Sequence, residues 1–191
     1  VGAPAPAAIS DADFFAFLKK RQGVLDGVCI SGGEPLLQPE LPDFLGRVRA
    51  LGYRIKLDTN GCFPARLRDA VARGLVDYVA MDIKNSPEKY AETVGMPDFQ
   101  YASVRESMKF LLSEPVDYEF RTTVVRGLHT AESLRGAAQS IAGAKRYFLQ
   151  KFVDSGDLIG KGFSAFSDEE MHRFLDIVQA YVPAARLRGV E

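Results

Sequence analysis

Short, almost wholly apolar stretches recur along this chain, and an amphipathic helical pattern separates each from the next. That alternation restricts the fold more than any other feature. Parallel strands cannot be joined by tight hairpins; they need long crossovers, which helices supply. Apolar stretches at 27–31, 53–58, 76–83, 118–125 and 146–153 read as strands. Helices are expected over 10–22, 41–51, 65–73, 101–112 and 130–142, with a last one over 171–181 and a further start at Ser86-Pro87. The punctuation agrees. Ser10 can cap the first helix with Asp13 three residues on, Gly52 and Gly74 stop two others, and Ser167-Asp168-Glu169-Glu170 is a capping box. The fold class is therefore α/β, in one domain spanning residues 1–191. Five strands are too few to close an eight-stranded barrel, so an open sheet or a partial barrel is expected.

Parallel α/β folds bind ligands beyond the carboxyl ends of their strands. Here those ends read Gly32-Gly33-Glu34-Pro35, Asp58-Thr59-Asn60-Gly61, Asp82-Ile83-Lys84-Asn85, Arg121-Thr122-Thr123 and Gln150-Lys151. Polar groups thus converge on one rim of an apolar framework. Gly32-Gly33 lets a ligand approach the backbone closely, although a bare glycine pair also makes an ordinary strand-to-helix turn. Glu34 adds a charge suited to an ammonium group. Asp58 and Asp82 can share Lys84, either as a structural ion-pair network or as a way of presenting Lys84 to a ligand carboxylate. Asn60 belongs to a turn in any protein. Of the two histidines, His129 reads as a solvated loop residue on the rim and His172 as a surface or packing residue. Phe14, Phe17, Phe110 and Phe174 read as core at helical spacing, with Phe14, Phe17 and Leu18 as the first helix's apolar stripe.

Composition excludes several classes of partner. A formal charge of -1 leaves no basic excess for nucleic acid or a membrane surface, and no apolar run spans a bilayer. Cys29 and Cys62 are the only cysteines, which favours a reducing, cytoplasmic setting over a disulfide framework. The Ala/Pro-rich start lacks an initiator Met, so the chain is expected to begin partway through a longer product.

Ile30-Ser31-Gly32-Gly33-Glu34-Pro35-Leu36-Leu37-Gln38-Pro39 resembles the Gly-Gly-Glu-Pro segment of radical S-adenosylmethionine (SAM) enzymes. Leu57-Asp58-Thr59-Asn60-Gly61 and Met81-Asp82-Ile83-Lys84 resemble the next two landmarks of the glycyl-radical-activating subgroup. Asp-Ile-Lys-Asn-Ser-Pro-Glu-Lys-Tyr is most similar to activating proteins of the anaerobic ribonucleoside-triphosphate reductase. The resemblance implies a partial (β/α)6 barrel whose first strand and cluster loop are missing from this chain. It also implies a SAM pocket: Gly32, Gly33 and Glu34 at the amino end, Asp58, Asn60, Asp82 and Lys84 around the rest, and Thr123 and Gln150 on later strands. The family holds a [4Fe-4S] cluster through three cysteines in Cys-x3-Cys-x2-Cys, which Cys29 and Cys62 cannot replace, so those ligands are expected upstream of Val1. The implied activity is reductive cleavage of SAM to a 5′-deoxyadenosyl radical, which takes a hydrogen from a backbone glycine of a large partner enzyme. An electron donor such as flavodoxin or ferredoxin is implied too. Two rivals remain: a radical SAM enzyme acting on a small molecule, and a cluster-less, non-catalytic SAM-binding module.

Overall fold

The computed structural model describes residues 9–154 and 162–190. The sequence also reads as a Gly-rich loop from the end of the fifth apolar stretch through Gly162, and most of it falls on 155–161, outside the described residues. In chain order the elements are α1 (Asp11–Lys20), β1 (Gly27–Ile30), α2 (Leu41–Ala50), β2 (Arg54–Thr59), α3 (Pro64–Ala72), β3 (Tyr78–Asp82), α4 (Tyr90–Val94) and α5 (Tyr101–Leu112). They continue with β4 (Asp117–Val124), α6 (Ala131–Ser140), β5 (Tyr147–Lys151), α7 (Asp168–Gln179) and β6 (Arg186–Arg188). Short 3-10 turns, Pro35–Leu37 and Pro87–Lys89, follow β1 and β3.

All six strands are parallel and lie in the order β1-β2-β3-β4-β5-β6. Crossovers of one hand between sequential neighbours put every connecting helix on the same side of the sheet. The register shows the result. Leu57, Val79 and Tyr118 pair across β2, β3 and β4, and Thr59, Met81, Phe120 and Tyr147 form the next row. These residues are buried among the apolar faces of the helices, where Leu45, Val48, Leu67, Val104, Met108 and Leu134 also sit. The other face carries Cys29, Lys56, Asp58, Tyr78, Asp82, Glu119, Arg121, Thr123, Gln150 and Arg188 by strict alternation along the strands. A parallel sheet with helices on one side and charge on the other is the wall of a partial barrel whose lumen is polar.

Two sequence expectations change. Among the described residues the strand count rises to six, because Arg186-Leu187-Arg188 pairs with β5. A three-residue segment with one apolar side chain carries no periodic signal; Arg188 pins it instead, crossing the Phe148 ring 3.4 Å from its centroid to grip both Glu119 oxygens at 2.7 Å. In α1 the stripe rotates. Phe14 and Phe15 both pack on Phe44 of α2, at 5.5 and 5.2 Å between centroids, which buries Phe15 and Leu18 and leaves Phe17 47% exposed. The caps are as read: Ser10 accepts from the Asp13 N–H, and Ser167 and Glu170 form the reciprocal box.

Candidate functional site

The strand ends meet at a cavity of about 110 Å³ walled by Ser31, Gly32, Gly33, Asp58, Thr59, Asn60, Asp82, Lys84 and Arg121. Six of the residues singled out from the sequence therefore share one wall: Gly32, Gly33, Asp58, Asn60, Asp82 and Lys84. Beside it, a larger space of about 390 Å³ shares Asp82, Lys84 and Arg121 and adds Ile83, Val94, Thr123 and Leu128. Thr123 belongs to this second space. Gln150 pairs with Thr123 in the sheet register, one strand further on, and lies outside the smaller cavity's wall.

Gly32 has φ +135°, a conformation that side chains avoid, and nothing lies within 4 Å of where a Cβ would stand on Gly32 or Gly33. The backbone there is bare toward the cavity. Glu34 stands behind it. Its carboxylate accepts from the Leu36 N–H at 3.1 Å, the Thr59 hydroxyl at 2.9 Å and the Asn60 N–H at 2.7 Å. It therefore couples the glycine loop to the exit of β2 rather than projecting its charge into the cavity. Asn60 closes its own turn by accepting from the Cys62 N–H at 2.9 Å.

Sequence reasoning expected two carboxylates around Lys84. The structure instead places a guanidinium between them. Arg121 Nε donates to Asp82 at 2.5 Å and its Nη1 donates to Asp58 at 3.0 Å. To reach Asp58 on β2 from β4 it spans β3, on which Ala80 is the register partner of Asp58. Lys56 donates to Asp58 from the other side, and Lys84 Nζ donates to Asp82 at 2.8 Å. The result is a row of alternating charge, Lys56–Asp58–Arg121–Asp82–Lys84, with one more cation than anion. Burial opposes the Asp58 charge, but the Lys56 hydrogen bond and the Arg121 charge outweigh it and hold its pKa below the usual 3.8. Burial likewise opposes the Arg121 charge, and Asp82 and Asp58 raise its pKa despite it. Lys84 is the most exposed member, with 44% of its side chain open. Such a row suits a zwitterion: a carboxylate meets Lys84 and Arg121 while an ammonium meets Asp58 and Asp82.

Arg121 and Lys56 were missed as site residues. Their signal is the period of two that puts Lys56 beside Asp58 and Arg121 beside Thr123 on one face. His129 also departs from expectation, since it is 5% exposed rather than solvated. His172 is on the surface as expected, with Nδ1 2.8 Å from the Asp168 carbonyl oxygen.

The donor set fits SAM, whose methionine end is a zwitterion. It does not fit an iron–sulfur cluster. Cys29 lies on the polar face of β1, 3.7 Å from Lys56 Nζ, while Cys62 packs against the core. Burial and the nearby Glu34 charge push the Cys62 thiol pKa up, the opposite of what a thiolate ligand needs. Among the described residues no group of three or more His, Cys, Asp or Glu side chains could hold a metal ion. None of the described helices is long and apolar enough to cross a membrane.

The chain is similar to several known proteins. A Methanocaldococcus jannaschii protein provisionally named a glycyl-radical enzyme activating enzyme is 28% identical over 171 residues, which is 86% of this chain and 71% of that protein. The 7-carboxy-7-deazaguanine synthase of Methanopyrus kandleri is 29% identical over 119 residues, 59% of this chain and 46% of the synthase, so the chain spans less than half of that relative. A domain of pyruvate-formate lyase-activating enzyme from Bacteroides vulgatus superposes with a TM-score of 0.69 at 20% identity, over 85% of this chain and 99% of that domain, a likeness of fold. Residues 12–134, well over half of the sequence, match the Radical SAM superfamily. On that match, the chain belongs to the radical SAM superfamily.

Proposed function

We propose that the protein is a radical SAM activase that forms a glycyl radical on a partner enzyme. The observation that carries this reading is the convergence of Gly32, Gly33, Asp58, Asp82 and Lys84 on one cavity. In it, the bare backbone at Gly32-Gly33 receives the amino end of SAM, Asp58 and Asp82 offset its ammonium charge, and Lys84 with Arg121 holds its carboxylate. The adjoining space near Thr123, walled partly by Ile83, Val94, Val125 and Leu128, excludes water from the remainder of the ligand. Gln150 and Thr123 supply polar contacts on the later strands. SAM, when bound and reductively cleaved, supplies a carbon-centred radical able to take a hydrogen atom from a glycine.

The activase reading draws on the likeness to the M. jannaschii protein and on the Asp-Ile-Lys-Asn-Ser-Pro-Glu-Lys-Tyr segment, which points to the anaerobic ribonucleoside-triphosphate reductase as partner, in a reducing cytoplasm. The likeness to a 7-carboxy-7-deazaguanine synthase favours a second reading, a reaction on a small molecule. Anaerobic incubation of the complete protein with SAM, a reductant and the reductase separates the two. A glycyl-radical signal in the reductase by electron paramagnetic resonance is expected; SAM cleavage with no such signal would move the assignment to the second reading. For the pocket itself, Lys84→Ala and Asp58→Ala are expected to weaken SAM binding by about tenfold or more, each removing a charge-assisted contact, with the fold retained. Unchanged affinity in both variants would remove the pocket assignment.

A further inference from the structure

One buried imidazole joins two of the rim loops. His129 lies in the turn after β4, where the Val125 N–H donates to its Nδ1 at 3.1 Å. Its Nε2 stands 2.8 Å from the Lys84 carbonyl oxygen. A neutral imidazole has one N–H and one lone pair to distribute. The Val125 carbonyl, 3.3 Å from Nδ1, already accepts from the Leu128 and His129 N–H groups at 3.2 and 3.0 Å, so it has little claim on an imidazole proton. Nδ1 is thus the acceptor, and Nε2–H donates to Lys84.

We infer that His129 is a positioning residue for the ligand pocket: through Nε2–H it fixes the Lys84 main chain, and with it the ammonium that meets the ligand. The inference rests on the pocket reading above. The neighbouring main-chain groups have their own ties. Thr122 Oγ1 donates to the Ile83 carbonyl at 2.6 Å, the Tyr90 hydroxyl accepts from the Lys84 N–H at 3.3 Å, and Asn85 Nδ2 donates to the Leu128 carbonyl at 2.9 Å. His129 supplies the tie at the Lys84 carbonyl itself. A protonated ring would turn Nδ1 into a donor facing the Val125 N–H, so the arrangement needs the neutral form. Burial favours that form and lowers the His129 pKa, although its two backbone hydrogen bonds act the other way. Asp82, Lys84 and Arg121 are the charged residues that share its cavity; Tyr90 faces the same loop, and Arg126 turns away to Glu170.

The test compares His129→Asn with His129→Gln in the complete protein. Asparagine keeps an acceptor near the Val125 N–H but falls short of Lys84, whereas glutamine carries a donor out to the position of Nε2. The asparagine variant is expected to melt close to the parent and bind SAM about tenfold more weakly, the loss of roughly one hydrogen bond, and glutamine to recover most of that affinity. Nitrogen-15 NMR of the unsubstituted protein, which needs no variant to fold, is expected to show the Nε2–H tautomer. An asparagine variant that binds SAM like the parent while Lys84→Ala binds weakly would overturn the inference alone, as would an Nδ1–H tautomer. Unaltered binding by Lys84→Ala and Asp58→Ala would instead remove the pocket reading and this inference with it.

Discussion

At the residue scale, the site depends on how Arg121 is paired. Among the described residues it is the one cation that touches both Asp58 and Asp82, and each carboxylate has one other cationic partner there, Lys56 or Lys84. Arg121→Leu should cost about 2 kcal/mol, below the range for a fully buried pair because both carboxylates retain a partner. The pH dependence has a definite sign. The Asp58 pKa is lowered in the fold, so its contribution is present above the ordinary value of 3.8 and is lost as pH falls through the lowered one. Denaturation of parent and variant from neutral pH downward should therefore show the gap between them narrowing in acid; a constant gap would contradict the pairing. His129 acts near neutrality by the same rule. Its lowered pKa means that stability is fully present above about 6.5 and declines as pH drops through the folded value. In the sequence, Asp58, Asp82 and Lys84 stood out because strand ends are where ligands bind. Arg121 stood in the same register but was read as part of a strand end, since nothing local says that its side chain will cross a neighbouring strand. That depends on the register that sets β2 and β4 on either side of β3.

At the element scale, two arginine bridges each span one strand, Arg121 over β3 and Arg188 over β5. The second holds β6. Burial opposes ionisation of Glu119, yet its hydrogen bonds from Arg188 and Tyr78 keep its pKa low, while burial and the bond to Glu119 push the Tyr78 hydroxyl up to about 12. Arg188→Leu should release β6, seen as loss of hydrogen-exchange protection at 186–188 while β2, β3 and β4 stay protected. Equal protection in parent and variant would show that backbone pairing alone keeps the strand in place. The turn after β2 is the other sensitive point. Gly61 has φ +77°, and a Cβ there would lie 2.1 Å from the terminal methyl of Met81. Gly61→Ala combines that clash with a left-handed backbone and should lower stability by about 1–3 kcal/mol, measured by chemical denaturation. Helix and strand order were legible from periodicity and caps because both are local signals. β6 was not, being held by a contact between residues 69 positions apart in sequence.

At the scale of the whole molecule, the sheet separates two solvents. One face packs against helices and is mostly apolar; the other carries most of the polar groups, from Cys29 on β1 to Arg188 on β6. The α/β class followed from the alternation alone, and the placing of ligand chemistry at the strand ends followed from the class. What the sequence left open was which charges pair there before any ligand arrives, because pairing across three strands is a property of register. In the proposed pocket, ligand binding is an exchange of partners: Lys84 and Arg121 would trade part of their contact with carboxylates of the protein for a carboxylate of SAM. The most direct measurement is an anaerobic crystal structure of the complete protein with SAM. It should show the methionine end against Gly32-Gly33, its carboxylate within hydrogen-bond distance of Lys84 or Arg121. SAM lodged elsewhere, with the row from Lys56 to Lys84 still paired only within itself, would contradict the account.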